Sequence, residues 1–368
     1  METNITVREF IKAKDHYLTI DIRDRIAYQH GHIDEAVSFP EIAADEIKEL
    51  MKINQKNEVV VYCSIGENSK SYVEKLREEK INAWNLEGGY RTWLLATSEE
   101  LSREEVDRYS RQMILPQVGE KGQKKLKQAK VFVAGAGGLG SPALMYLAAA
   151  GVGTIGIADG DKVEITNLQR QCIHDTASVG ETKIQSAKSK LERLNPNVDI
   201  RIYNEFLTPE NIESIIDDYD FVIDGVDNFE SKFLINDACV IHKKPFCHAG
   251  ILQFQGQVMT WLPGKGACYR CVFEDVPKAY VPNCSEAGII GAVAGIIGSI
   301  QALEAIKYIL GTGELLTGRM FIFDGLSMNT RIVKFEKQSE HCKVCNAKQK
   351  KDFIKRNKNH YYPQLCMS

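Results

Sequence analysis

Four groups of residues have the types and spacing to carry chemistry. The first is a run of glycines, Gly135, Gly137, Gly138 and Gly140, between an apolar stretch (KVFV, 130–133) and a stretch rich in small residues (SPALMYLAAA, 141–150). Glycine tolerates positive φ and lets backbone approach a phosphate, and a following helix N-terminus adds partial positive charge. Asp159 stands 22 residues beyond Gly137, at the end of the next apolar run, where an acid can hold ribose hydroxyls. The pattern predicts a nucleotide loop and leaves open whether the nucleotide is a dinucleotide or ATP.

The second group separates these two. Asn167, Arg170 and Gln171 lie in DGDKVEITNLQRQ (159–171), and Lys183 follows in GETK. The pyrophosphate of a nicotinamide cofactor is met by backbone amides and needs few cations. Triphosphate chemistry has more charge to neutralise and a leaving pyrophosphate to direct. Asp224 and Asp227, in IDGVDN, end a further apolar run, and Asp227 can offer oxygen to Mg²⁺. Together these residues predict a nucleoside triphosphate site and disfavour a nicotinamide oxidoreductase.

The third group is two C-x-x-C pairs, Cys268–Cys271 and Cys342–Cys345, with the spacing of a four-cysteine zinc site. Seventy residues separate the pairs, so the fold must bring them together, and redox pairs are the alternative. The fourth group is two single cysteines. Cys63 lies between VVVY and a short polar loop leading into a helix-like stretch, which would aim backbone amides at sulfur and stabilise a thiolate or persulfide. Cys284, in PNCSEAGIIG, precedes a glycine-rich helical run whose N-terminus could lower its pKa. Cys172, Cys239, Cys247 and Cys366 show no pattern and read mostly as small buried hydrophobes.

The elements that must position these groups are α/β. In the first hundred residues, YLTIDI (17–22) and EVVVYC (58–63) read as strands, with helices over 40–53 and 71–81 and a strand at AWNLEGGY. Ser102 with Glu105 fits a capping box. From there strand and helix alternate, which predicts a mostly parallel, Rossmann-like sheet covered by helices. The expected organisation is a small α/β domain over 1–96, a linker over 97–107, a nucleotide-binding domain over 108–346, and a basic tail over 347–368 that is solvated and partly frayed. Small residues at Gly288, Gly291, Gly295, Gly298, Ala302 and Ala305 predict a buried helix that another backbone approaches closely, near a dimer contact.

Composition narrows the class. The chain has 368 residues and a formal net charge of −3, so no general attraction to nucleic acid or anionic membrane is expected. The start, METNITVREF, lacks the basic-then-apolar pattern of a signal peptide. The apolar run 287–300 is 14 residues long, short of the roughly 18–20 a membrane span requires. A cytoplasmic protein with reduced cysteines is the expectation.

Several motifs resemble the ThiF/MoeB/HesA family, relatives of the ubiquitin-activating enzymes: RYSRQMILPQVGEKGQKKLKQAKVFVAGAGGLGS, ADGDKVEITNLQRQ, DGVDN, CYRCVF, CSEAGIIG and CKVC. They run in order from about Leu101 to Asn346. The resemblance implies ATP-dependent adenylation of the C-terminal Gly-Gly carboxylate of a ubiquitin-like protein. It places Asp159 on the ribose, and the glycines, Asn167, Arg170, Gln171 and Lys183 on the phosphates. It places Asp227 on magnesium, and Arg111 on the phosphates of the neighbouring subunit in a homodimer. It supports zinc at the four cysteines and makes Cys284 a reactive residue on a crossing loop.

The first hundred residues resemble a rhodanese-like domain through IDIRD, YQHGHIDEAVSFP, VVVYCSIGENS and LEGGYRTW, which implies a persulfide on Cys63. Asn68 stands where rhodaneses carry arginine, with Glu67 beside it, so small anionic donors are expected to bind less well than a protein persulfide donor such as a cysteine desulfurase. The combined expectation is adenylation of a sulfur-carrier protein followed by sulfur transfer to give a thiocarboxylate. The alternative is activation of a non-sulfur substrate, a tRNA-modifying or peptide-adenylating reaction, with a non-catalytic rhodanese domain.

Overall fold

The structure is a computed structural model, and it describes residues 3–40, 43–97, 100–276, 287–335, 337–346 and 352–361. The chain forms two compact units, Met1–Lys125 and Leu126–Ser368.

In the first unit, β1 (Asn4–Ile5), β2 (Tyr17–Asp21), β3 (Val37–Ser38), β4 (Glu58–Tyr62) and β5 (Ala83–Leu86) form a parallel sheet in the order β1-β5-β4-β2-β3. Strand β4 is a near-continuous apolar run because both faces of a parallel sheet are covered. Side chains alternate between those faces. Val59 and Val61 pack with Ile47, Val73 and Leu76, whereas Val60 and Tyr62 pack with Phe10 and Leu94.

The helix Arg103–Met113 starts at the expected capping box, with Glu105 N–H donating to Ser102 and Ser102 N–H donating to Glu105. It carries Val106, Tyr109 and Met113 on one face, and all three are buried in the first unit's core. The helix thus belongs to the first compact unit, Met1–Lys125.

The second unit holds an eight-stranded sheet, β13-β12-β11-β10-β9-β6-β7-β8. Its parallel part is β6 (Lys130–Ala134), β7 (Thr154–Ala158), β8 (Asp199–Tyr203), β9 (Phe221–Asp224) and β10 (Phe246–Leu252). An antiparallel extension follows through β11 (Gln255–Trp261), β12 (Arg319–Asp324) and β13 (Asn329–Lys334). The helix Gly291–Leu310 packs on β10, β11 and the helix Gly140–Ala150. Its glycine stripe is used where expected: a Cβ on Gly298 would collide with the Leu139 carbonyl oxygen, and one on Gly291 with that of Gln169. Gly295 has open space instead. The helix is long and apolar enough to cross a bilayer, and half of that apolar window is buried inside the protein.

Part of the C-terminal tail is anchored rather than solvated. Over the described residues 352–361, Ile354 and Tyr361 are buried. The Tyr361 hydroxyl donates to Asp237 Oδ2 at 2.8 Å, and Arg270 meets the same carboxylate at 2.7 Å. A lysine-rich composition hid one apolar anchor, Ile354, and a phenol with a buried partner, Tyr361.

Candidate active site

The glycine loop joins β6 to the helix Gly140–Ala150, at the C-terminal edge of the parallel strands where open α/β sheets bind ligands. Gly135 has φ +92°, a conformation that disfavours any side chain. A Cβ on Gly140 would collide with the Gly135 carbonyl oxygen, so the turn closes only without one. A Cβ on Gly137 would stand 3.6 Å from Gln171 Nε2, and one on Gly138 would stand 3.7 Å from Arg170 Cγ. The loop and the 170–171 segment are thus brought together.

Asp159 follows β7 and is buried, with Oδ2 accepting from Ala136 N–H at 2.9 Å and Oδ1 from Asp161 N–H at 2.8 Å. Asp161 in turn pairs with Lys183 Nζ at 2.7 Å. Lys183 is the first residue of the helix Lys183–Leu194 and is itself buried, while the Asp161 side chain is half exposed. One connected path therefore runs from the loop through Asp159 and Asp161 to the lysine. Arg170 Nη1 donates to the Thr166 carbonyl at 3.0 Å, which holds the guanidinium near the loop. Asn167 is buried, and its Oδ1 accepts from Glu164 N–H.

Gln171 is buried, and its Oε1 has no hydrogen-bond partner among the described residues. A buried amide oxygen without a partner is costly. Its position beside Gly137 of the loop fits a polar ligand there, and these donors suit a nucleoside triphosphate. Asp227 is exposed, two residues beyond Gly225, whose N–H donates to the Ala134 carbonyl at the base of the loop. An exposed carboxylate at that place fits a hard cation.

Asp224 ends β9 and is held by buried side chains. It is buried, pairs with His248 Nδ1 at 2.6 Å and lies 3.3 Å from Lys232 Nζ. Burial alone would raise its pKa, but Lys232 and His248 hold the carboxyl below its usual value. The helix Phe229–Ile241 is capped by Asn228, which accepts from Ser231 N–H at 2.8 Å.

Sequence reasoning missed Lys232, His248 and Gln301, whose amide donates to the carbonyls of Asp224 and Cys247. It also missed His174, which is buried against the loop. None of these side chains carries a spacing signal. Only the fold shows that they meet.

The two C-x-x-C pairs come together. The four sulfurs of Cys268, Cys271, Cys342 and Cys345 lie within 4.8 Å of one another, with Cys268–Cys271 at 3.6 Å and Cys268–Cys342 at 3.7 Å. A tetrahedron with metal–sulfur bonds of about 2.3 Å has edges of about 3.8 Å, so the cluster is compatible with zinc. Cys239 and Cys247 are buried as read, and burial pushes both thiols well up. Cys172 is exposed, contrary to the reading for most of this group. Cys284 and Cys366 lie outside the described residues.

In the first unit Cys63 follows β4 and is buried, and its sulfur accepts from Gly66 N–H at 3.1 Å and the Ser69 hydroxyl at 3.4 Å. Burial would push the thiol up. The hydrogen bonds from Ser69, Ile65 and Gly66 outweigh it, and the net shift is down. Gly66 and Gly89, both at positive φ, pack the loop against the turn after β5. Glu67 is exposed and pairs with Lys70 at 2.8 Å, and Asn68 begins the helix Asn68–Glu78. Arg23, in IDIRD, is spent on the buried Asp21 carboxylate at 2.6 Å and stacks over Tyr90. Arg111, exposed in the last turn of its helix, belongs to this unit.

Comparison with known proteins follows these two sites. The family model described as ThiF family matches residues 109–344, and that of the rhodanese-like domain matches residues 6–96. The chain is 46% identical over 248 residues to the adenylyltransferase and sulfurtransferase MOCS3 of Aedes aegypti, covering 67% of this chain and 57% of that protein. It is 44% identical over 256 residues to the probable adenylyltransferase/sulfurtransferase MoeZ of Mycobacterium tuberculosis, covering 68% and 65%. It is 46% identical over 250 residues to the sulfur carrier protein adenylyltransferase of Thermus thermophilus, covering 66% and 92%. The matches thus span 57–65% of the length of the MOCS3 and MoeZ relatives. Among solved structures, E. coli MccB is similar with TM-score 0.59 at 23% identity, covering 76% of this chain and 80% of that one. A structure of PaaA is similar with TM-score 0.58 at 25% identity, covering 81% and 88%. The chain belongs to the ThiF family and carries a rhodanese-like domain at residues 6–96.

Proposed function

We propose that this chain adenylates the C-terminal Gly-Gly carboxylate of a ubiquitin-like sulfur-carrier protein and then supplies the sulfur that makes it a thiocarboxylate. The observation that carries this reading is the presence in one chain of a triphosphate-type glycine loop with Arg170 and Lys183, and of a cysteine whose thiol is shifted down by its own loop. The names of the MOCS3, MoeZ and Thermus thermophilus relatives agree with it.

A carboxylate is a poor acyl donor. In the first step its oxygen attacks the α-phosphorus of ATP, pyrophosphate leaves, and an acyl-adenylate forms. The glycine loop, Asn167, Arg170, Gln171 and Lys183 hold the phosphates, and Asp159 the ribose. Arg111 is assigned to the phosphates bound by a second copy of the chain in a homodimer. Asp227 would hold Mg²⁺, which supplies charge neutralisation. Cys268, Cys271, Cys342 and Cys345 would hold Zn²⁺ in a closed structural site.

In the second step the outer sulfur of a Cys63 persulfide, loaded by a protein donor such as a cysteine desulfurase, attacks the acyl carbon and AMP leaves. The product is an acyl disulfide on Cys63. Cys284 has two roles open to it: its thiolate attacks the Cys63 sulfur, which releases the thiocarboxylate and leaves a disulfide that a cellular thiol reduces, or it first takes the acyl group from the adenylate as a thioester, AMP leaving, and the Cys63 persulfide then displaces it. Carrying donor and activated acyl group on one chain raises their effective concentration.

The test is ATP–pyrophosphate exchange with a Gly-Gly carrier, followed by intact-mass analysis of the carrier after addition of a persulfide donor. Exchange together with replacement of one carrier oxygen by sulfur supports the reading. Exchange without sulfur gain, unchanged in Cys63→Ala, favours activation of a non-sulfur substrate.

A further inference from the structure

The glycine loop is held from outside by a residue that has no place in the scheme above, and the inference drawn from it rests on the adenylation reading. The Ala136 N–H is taken by Asp159. The Ala136 carbonyl faces His174 Nε2 at 2.9 Å, and the other ring nitrogen, Nδ1, lies 2.9 Å from Ser186 Oγ. His174 and Ser186 are both buried, and Ser186 sits in the first turn of the helix that begins with Lys183.

A carbonyl oxygen only accepts, so Nε2 carries hydrogen. In the neutral ring Nδ1 then accepts from the Ser186 hydroxyl. Burial pushes the ring's pKa down against the opposing hydrogen bond to Ala136, and Lys183 adds to the lowering. One neutral imidazole thereby serves both partners.

The geometry of the peptide unit gives this contact a consequence. In a trans peptide the C=O of one residue and the N–H of the next point in opposite directions, and no cis bond occurs among the described residues. Drawing the Ala136 oxygen toward His174 turns the Gly137 N–H the other way. The Gly137 oxygen is drawn inward too, by Ser141 N–H at 2.9 Å and the Ser141 hydroxyl at 2.7 Å, which directs the Gly138 N–H.

We propose that His174 is a positioning residue of the adenylation site. It sets the Ala136–Gly137 peptide so that the Gly137 N–H is presented to the nucleotide phosphates, and through Ser186 it ties the loop to the helix carrying Lys183. Preorganised amides are effective because they need no reorientation when the ligand arrives.

The test uses the full chain and Mg·ATP, with binding read by calorimetry and kinetics by pyrophosphate exchange. His174→Phe removes both hydrogen bonds and is expected to raise the Kd and KM for ATP about tenfold, with the KM for the carrier unchanged. In His174→Gln the amide nitrogen can replace Nε2, and ATP affinity is expected to return to within about threefold of wild type. Ser186→Ala, which keeps the donor to Ala136 but frees the ring, is expected to fall between them. A folded His174→Phe with wild-type ATP parameters overturns the proposal, as does a His174→Gln no better than the phenylalanine variant. Should His174→Phe fail to fold, unaltered ATP binding in Ser186→Ala overturns it. ATP binding that depends on His174 in a chain without exchange activity supports the positioning role and removes the adenylation reading. Exchange that is indifferent to His174 does the reverse.

Discussion

The Ser69 hydroxyl stands 3.4 Å from the sulfur of Cys63 and 2.6 Å from Asn85 Oδ1, and it has one proton to give. When Cys63 is a thiol, the amide oxygen of Asn85 is the better acceptor. When Cys63 is a thiolate, the charged sulfur competes for that proton, with Gly66 N–H already directed at it. The loop thus responds to the charge on the sulfur by rotating one O–H.

Ser69→Ala is expected to move the midpoint of Cys63 alkylation to higher pH by about one unit, the size of one hydrogen bond to a charged group. The sign follows from the direction of the shift. The hydrogen bonds hold the thiol below its ordinary value, so removing one lets burial push it back up. Iodoacetamide rates against pH, with Cys63→Ser as the blank, measure it.

Lys183→Ala is expected to lower the rate of pyrophosphate exchange by about a hundredfold or more, because a cation aimed at developing charge is lost. Asp161→Asn tests the other end of the same pair, at 2.7 Å from the lysine. It should change exchange much less, since the lysine itself remains. Equal losses in the two variants would mean that the ion pair, rather than the lysine alone, serves the reaction.

Asp237→Ala leaves the buried Arg270 guanidinium without the carboxylate that meets it at 2.7 Å. Removing one partner of a buried pair is expected to cost about 3–5 kcal/mol. Tyr361→Phe removes a single hydrogen bond to the same carboxylate and is expected to cost about 1.5–3 kcal/mol. Urea unfolding monitored by tryptophan fluorescence ranks the two, and the reverse order would show that the tail contributes more than its hydrogen bond.

Metal analysis of the purified chain is expected to give one zinc per chain, released by a mercurial reagent. Chelation or Cys342→Ser should lower the Tm by several degrees, since binding to the folded state alone is stabilising. Exchange activity should persist below the lowered Tm, because four thiolates leave no open position for substrate.

The sequence was readable where a physical requirement restricts residue type within a short window. Gly140 has no alternative in its turn, Ser102 and Glu105 cap one helix, and cysteines in C-x-x-C spacing suit few purposes. It was opaque where the requirement is met across the fold. His174 meets Ala136 38 positions away and Tyr361 meets Asp237 124 positions away, and no local pattern marks either. The antiparallel strands β11 to β13 were missed for a related reason, because the glycine-rich helix that separates β11 from β12 dominates the pattern of that region. The placement of helix Arg103–Met113 followed the same rule. Its cap was legible, but whether Val106 and Tyr109 face one core or another is decided by what lies opposite them.

Gly291 abuts the main chain at Gln169 and Arg170 so closely that any side chain there would strike the Gln169 carbonyl. Gly291 opens the helix Gly291–Leu310, and Arg170 is the residue proposed to contact the phosphates. The start of that helix and the Arg170 main chain therefore meet across one backbone-to-backbone seam. A side chain introduced at Gly291 would have to displace one or the other, so a position that carries no polar group still governs where the arginine stands.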